Sequence, residues 1–300
     1  MDLGTHGFCI LVLESFVTAL RQHRIKSKKE LFRQFNHIFD LIQDVKPKYA
    51  ILIDSFYKIF SQAGGQTVED IVGNINEIKA AYQAEMDHLV EAGLSIDAHK
   101  KKILIYDHSH SVQNVLRALH DKGQHFSVIL AEQDMGKTED NIAFLHEADI
   151  PFKVIPAYMI SHFEEEIDMA FFGAVTFQDC GKFVMDPGSK SIISHLKVEE
   201  KPVYLFLTTS KFSLWKTREA KTEIHIKTDI RCHQTLNQIE FERVKFSHDR
   251  VSAKLIDHVV TEKGLFDSKS ILEEFKRLMT KREKQEKRLD EKVQFKLKGT

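Results

Sequence analysis

Lys101–Val112 reads KKILIYDHSHSV, and this stretch decides the fold. Two lysines lead into the apolar run Ile103-Leu104-Ile105-Tyr106, which stops at the polar loop Asp107-His108-Ser109-His110-Ser111. A helical pattern follows, with Val112, Val115, Leu116 and Leu119 on one face. Such a pattern predicts strand, tight loop, helix. In an open parallel sheet that loop lies at the carboxyl end of a strand and the amino end of a helix, where small anions bind.

Downstream, the same grammar repeats. The apolar runs Phe126–Ala131, Phe152–Ile155, Met169–Phe172 and Val203–Leu207 predict further strands. They alternate with helical stretches at Ser111–Lys122, Thr138–Glu147, Met159–Glu165 and Ser191–Val198. Alternation of this kind predicts a parallel sheet covered by helices, and the lack of polar residues within the runs fits strands buried on both faces. Further on, the segment around Ile224-His225-Ile226 reads as a short edge strand or an ordered loop, and Phe241–Phe246 as another. Val251–Val260 reads as an amphipathic helix closed by Gly264.

Upstream, residues 1–98 are helical in pattern. Phe8, Leu11, Val12, Phe16 and Ala19 share one helix face. A second helix starts at Ser27 with Glu30 at the capping-box position, and a third spans Ala50–Phe60. Thr67 starts a long helix running through Val90, with Gly93 as its stop signal. The expected organisation is a helical N-terminal domain (1–98), a Rossmann-like domain (99–278) and a basic helical tail (279–300). Lys276–Lys298 carries ten Lys or Arg against four acids and reads as a solvated helical tail.

Composition narrows the function. The 300 residues are 42% hydrophobic and 29% charged, with a formal net charge of -1, so no global charge draws the chain to DNA or an acidic membrane. The apolar run Phe8–Leu13 is too short to span a bilayer and lacks a basic leader. Cys9, Cys180 and Cys232 are scattered and odd in number, which fits a reducing, cytoplasmic setting and supports neither a disulfide framework nor a zinc motif. Asp179-Cys180-Gly181 reads as a turn, with Cys180 a bystander.

For the crevice the chemistry has plain and functional readings. Asp107, His108 and His110 could chelate a transition metal, but no third imidazole or cysteine is near in sequence, and the expectation is no metal. Ser109 and Ser111 sit where helix amides are unpaired; either caps the helix or joins a phosphate cradle. Gly173-Ala174-Val175 follows a strand and points into the same crevice. Gly188 and Ser189, in Met185-Asp186-Pro187-Gly188-Ser189, offer a second set of backbone amides for an anion. Neither a P-loop nor a dinucleotide fingerprint is present, and no cofactor is expected.

The order of these motifs resembles the family of the alpha, beta and delta subunits of translation initiation factor 2B, which also contains the ribose-1,5-bisphosphate and methylthioribose-1-phosphate isomerases. The resemblance runs from about Asp40 to Leu278. It is carried by Lys46-Pro47-Lys48, by the Ile103–Tyr106 strand with its loop and by Phe126–Glu132. Ile150–Ile155, Ile167–Ala174, Ser210-Lys211-Phe212 and Leu255–Gly264 complete it. It implies a Rossmann-like C-terminal domain, dimerisation through that domain, and association as a homodimer or with related subunits. It also implies contact with initiation factor 2 and a sugar-phosphate or nucleotide ligand lined by Asp107, His108, Ser109, Ser111, Gly173, Gly188 and Ser189.

Catalysis does not carry over intact. The isomerases' Cys and Asp positions are Asp107 and Val175 here. The phosphate-contacting Arg of the family falls within Gln133-Asp134-Met135. A valine can neither move a proton nor hold a hydroxyl. The resemblance therefore implies a noncatalytic regulatory or assembly subunit, with Asp107 or His108 as the base of a rearranged isomerase as the alternative.

Overall fold

In the computed structural model the residues described are 4–22, 49–62, 67–214, 229–236 and 239–297, together with positions 30, 33, 37, 38, 41 and 42. The N-terminal part is helical: α1 (Gly4–Gln22), α2 (Ala50–Gln62) and α3 (Val68–Gly93) pack around Leu13, Phe16, Ile51, Phe56, Ile75 and Tyr82. Helical positions at 30, 33, 37, 38, 41 and 42 agree with the helix expected from Ser27, most of which lies outside the described residues. Thr67 caps α3 through a reciprocal capping box with Asp70: each backbone N–H donates to the other's side chain, at 3.2 and 2.9 Å.

The sheet is built from β1 (Lys102–Ile105), β2 (Ser127–Glu132), β3 (Phe152–Pro156), β4 (Met169–Gly173), β7 (Val203–Phe206), β11 (His258–Thr261) and β12 (Gly264–Phe266). Their order is β12-β11-β7-β4-β1-β2-β3, parallel except for the β11–β12 hairpin. Helices α4 (His110–Asp121), α5 (Met135–Glu147) and α6 (Ser189–Val198) connect the strands. Side chains alternate between two buried cores. Leu104, Ile129, Ala170 and Leu205 enter one; Ile103, Ile105, Leu130, Phe171 and Phe206 enter the other. Burial on both faces is why these strands read as unbroken apolar runs.

A small antiparallel sheet flanks this layer, made of β5 (Thr176–Phe177), β6 (Lys182–Met185) and β10 (Asp249–Ser252). The predicted turn at Asp179-Cys180-Gly181 joins β5 to β6, with Gly181 at φ +71°. Phe241–Phe246 lies within β9 (Ile239–Phe246), paired with β8 (Asp229–Leu236). The edge strand or ordered loop expected around Ile224-His225-Ile226 lies outside the described residues.

Three expectations are corrected. Val251–Val260 is not a helix: Val251 pairs with Phe183 in β10, a 3-10 turn covers Ala253–Leu255, and β11 joins the main sheet beside β7. The apolar spacing there arises from two short strands bent about Ser252, not from a helix face. Gly264 is accordingly no helix cap; its φ of +115° forms the tight turn between β11 and β12. Met159–Glu165 is not an α-helix: two short 3-10 turns, Ala157–His162 and Glu164–Glu166, cover this stretch between β3 and β4. Gly93 does end α3, as expected, but without a left-handed conformation; it is a close-approach position, where a Cβ would lie 2.8 Å from Val115 of α4.

The basic C-terminal segment belongs to one helix, α7 (Ser268–Leu297), capped by Asp267, whose Oδ1 accepts from Lys269 and Ser270 N–H. Its first turns are not solvated. Ile271 and Phe275 are buried, and Phe275 packs against Phe177 and Phe212. Arg282 is 7% exposed; its guanidinium donates to Asp54 at 2.9 Å and lies 3.2 Å from the Tyr57 ring centroid.

Candidate binding crevice

From β1 the chain moves outward through β2 and β3 in one direction, while β4, β7 and β11 extend in the other. The reversal falls between β1 and β4, and ligands of open α/β sheets bind just beyond the strand ends at such a point. A cavity of about 530 Å³ opens there. Asp107, His108, Ser109, His110 and Ser111 line one side, Gly173, Ala174 and Val175 the floor, and Val184, Met185 and Asp186 the opposite wall. The first turn of α1 (Gly4, Thr5, His6) closes over it.

Continuing the β1–β4 register brings Asp107 opposite Gly173. The Gly173 N–H donates to Asp107 Oδ2 at 2.7 Å. Gly173 has to be glycine: a Cβ would lie 2.2 Å from Ser109 Oγ and 3.1 Å from Asp107 Oδ2. Ser109 is the N-cap of α4, accepting from Val112 N–H at 3.4 Å, so its hydroxyl takes the capping role. Asn141 of α5 donates to the Asp107 carbonyl and accepts from Gln113, which holds the loop from behind.

Burial dominates the electrostatics. The Asp107 carboxyl is 5% exposed, and loss of hydration, helped by the charge of Asp186, pushes it up to about 8. Its Oδ1 is buried without a hydrogen-bond partner among the described residues. Lys211 is 6% exposed, donates to the Ala174 carbonyl at 3.3 Å, and is pushed down to about 8 by burial, with Asp107 opposing that shift. His6 is pushed down to about 3, first by burial and then by the charge of Lys211. At the mouth, Lys137 and Asp186 form an ion pair at 2.6 Å. At neutral pH the floor therefore holds a mainly protonated, neutral Asp107 beside a mainly protonated, cationic Lys211, while the cation and anion at its rim neutralise each other.

Two expected ligand positions are elsewhere. Gly188 and Ser189 do not line the cavity. Gly188, at φ +96°, packs so closely on Tyr106 that a Cβ would lie 2.3 Å from its hydroxyl, and Ser189 is fully buried. The backbone amides there already have a partner: Asp249 Oδ2 accepts from Gly188 N–H at 3.0 Å and from Lys190 N–H at 2.9 Å. A carboxylate of the chain itself thus fills the second anion cradle. Asp107, His108 and His110 do not bring three metal-ligand atoms together. The edge-on contact of the His108 and His110 rings, 5.0 Å between centroids, packs the two imidazoles against each other.

Sequence reasoning missed His6, Lys137, Asp186 and Lys211 as crevice residues. Lys211 follows the polar run Thr208-Thr209-Ser210 beyond the end of β7, so its burial left no local signal. His6 reaches the crevice only through the packing of α1, where Gly4 approaches the His110 ring closely enough that a Cβ would lie 2.6 Å from Nδ1.

A helical N-terminal part packed on a Rossmann-like sheet, with its crevice at the β1–β4 switch, defines an α/β protein of the kind that holds small ligands at strand ends. The chain belongs to the initiation factor 2 subunit family, whose model matches residues 3–268. The fold is similar to that of the translation initiation factor eIF-2B of Pyrococcus horikoshii OT3, with TM-score 0.72 and 17% identity over 86% of this chain and 89% of that one. It is also similar to the 5-methylthioribose 1-phosphate isomerase of the same organism, with TM-score 0.70 and 13% identity over 90% and 83%. A chain of the tetrameric eIF2B-beta2-delta2 complex of C. thermophilum matches with TM-score 0.65 and 15% identity over 90% and 87%. No curated protein sequence matches the chain. No helix among the described residues is long and apolar enough to cross a membrane.

Proposed function

We propose that this chain is a noncatalytic regulatory or assembly subunit of the initiation-factor-2B type, working in the cytoplasm. It holds a small polar or phosphorylated ligand in the crevice lined by Asp107, His108, Ser109, Ser111 and Gly173. The observation that carries this reading is Val175 at the end of β4. An aliphatic side chain faces the crevice where the family's isomerases place an acid, so one of the two proton-handling groups of an aldose–ketose conversion is missing. Asp107, at the other position, is tied to the Gly173 N–H and walled in by Ser109.

In this reading the helical part (1–98) and the Rossmann-like part (99–278) act as one ligand-holding body. The chain associates with a second copy or with related subunits, as the C. thermophilum beta and delta subunits do in their tetramer. Contact with initiation factor 2 belongs to the same reading. Affinity capture with initiation factor 2 and with eIF2B-type subunits tests it. Stoichiometric recovery of a related subunit is expected; recovery of the chain as a lone, ligand-free species contradicts it.

One observation favours a second reading. A carboxyl pushed up to about 8 beside a lysine pushed down to about 8 is a pairing suited to proton transfer near neutrality. A sugar-phosphate isomerase with Asp107 as its acid–base group would use that pair. Turnover of ribose-1,5-bisphosphate or methylthioribose 1-phosphate separates the two readings.

A further inference from the structure

The crevice makes no use of a cluster at the opposite end of α6. His195 lies in the last turn of that helix and Glu199 is its C-cap, one turn apart on the same face. Glu164, in the 3-10 turn Glu164–Glu166 that precedes β4, packs against them. One ligand atom from each residue lies within 4.8 Å of the other two. His195 Nε2 and Glu164 Oε2 are 3.1 Å apart. The approach is not aligned as a hydrogen bond, so Nε2 is sealed from solvent without a hydrogen-bond partner among the described residues.

We propose that Glu164, His195 and Glu199 form a binding site for a divalent transition-metal ion of the zinc class. Zinc takes imidazole nitrogen and carboxylate oxygen at about 2.0–2.2 Å, which places donor atoms of one coordination sphere about 3–4 Å from each other. The cluster needs only small side-chain adjustments to meet that spacing. The imidazole selects zinc, cobalt or nickel over magnesium and calcium, which take oxygen donors. Two carboxylates and a neutral imidazole balance the ion's double positive charge. The carboxyl end of the α6 dipole adds partial negative charge on the same side. Three protein ligands leave a fourth position for water. A bound ion fastens the β3–β4 connection to α6, the helix whose other end, at Gly188, packs against Tyr106 under the crevice.

The test is titration of the intact, chelator-treated chain with Zn²⁺ by calorimetry, paired with hydrogen exchange. One 1:1 site is expected, with slowed exchange in residues 157–166 and in the last turn of α6. His195→Ala and Glu199→Gln should each weaken that site at least tenfold. The double variant His108→Ala/His110→Ala, on the unrelated crevice loop, should keep it. The affinity should fall as pH is lowered, because protons compete for the imidazole and carboxylates. Absence of a 1:1 site, a site that survives both His195→Ala and Glu199→Gln, or one lost in the crevice double variant overturns the proposal.

Discussion

Replacing Asp107 by asparagine should change how stability depends on pH. The carboxyl titrates at about 8 in the folded chain against a reference of 3.8. Between those values the unfolded chain has lost the proton and the folded chain has kept it. The unfolded state then binds fewer protons, so stability falls as pH rises, by up to about 1.4 kcal/mol per pH unit. Integrated from pH 5 to pH 7, the loss is about 2 to 3 kcal/mol, and it levels off above pH 8. Asparagine keeps an oxygen to accept from the Gly173 N–H but cannot ionise. Its NH₂ meets the site where Asp107 Oδ1 has no partner, at a cost of about 1–3 kcal/mol that does not vary with pH. The contributions of His6 and of Glu85, whose carboxyl burial raises to about 7, are common to both chains and cancel in the difference. Lys211 loses its opposing charge in the variant and moves further down, which confines the clean window to pH 5–7. Urea unfolding of both chains at pH 5, 6 and 7 provides the assay. The variant should gain about 2 to 3 kcal/mol relative to the parent across that range. Two curves that stay parallel within about 0.5 kcal/mol would refute the claim that Asp107 is held protonated.

Three further perturbations follow from the geometry. Gly173→Ala drives a Cβ to 2.2 Å from Ser109 Oγ; strain of about 1–3 kcal/mol and displacement of the Asp107 loop are expected, read by chemical denaturation and by loss of ligand affinity. Arg282→Met strips Asp54 of a partner in a buried pair and removes the guanidinium from Tyr57, costing about 2–4 kcal/mol; limited proteolysis should cut α7 faster while the sheet resists. Asp249→Ala vacates the amides of Gly188 and Lys190; a loss of about 1 kcal/mol is expected, together with sulfate-dependent stabilisation that the parent chain lacks.

How far the sequence foretold this structure depends on how local each signal was. The five central strands were legible because a strand buried on both faces shows as a short apolar run, three of the four helices expected between them formed, and Lys101–Val112 placed the crevice loop correctly; Met159–Glu165 instead forms two 3-10 turns. Val251–Val260 misled because Val251, Leu255, Val259 and Val260 repeat at helical spacing, although pairing with Phe183 and with β7 makes the segment two strands. Asp249 filling the amides 61 residues away at Gly188 has no local signature. Nor does His6, brought over the crevice by α1. The exchange of an acid for Val175 was readable, since it needs only the position after Gly173-Ala174.

The central claim is that the crevice binds without turning over. The most direct measurement follows ketose formation from ribose-1,5-bisphosphate and from methylthioribose 1-phosphate, alongside calorimetric binding of both by the same preparation. The account predicts saturable binding, weakened by Gly173→Ala, and no ketose above the protein-free rate. Clear turnover that disappears in Asp107→Ala would contradict it and establish the isomerase reading.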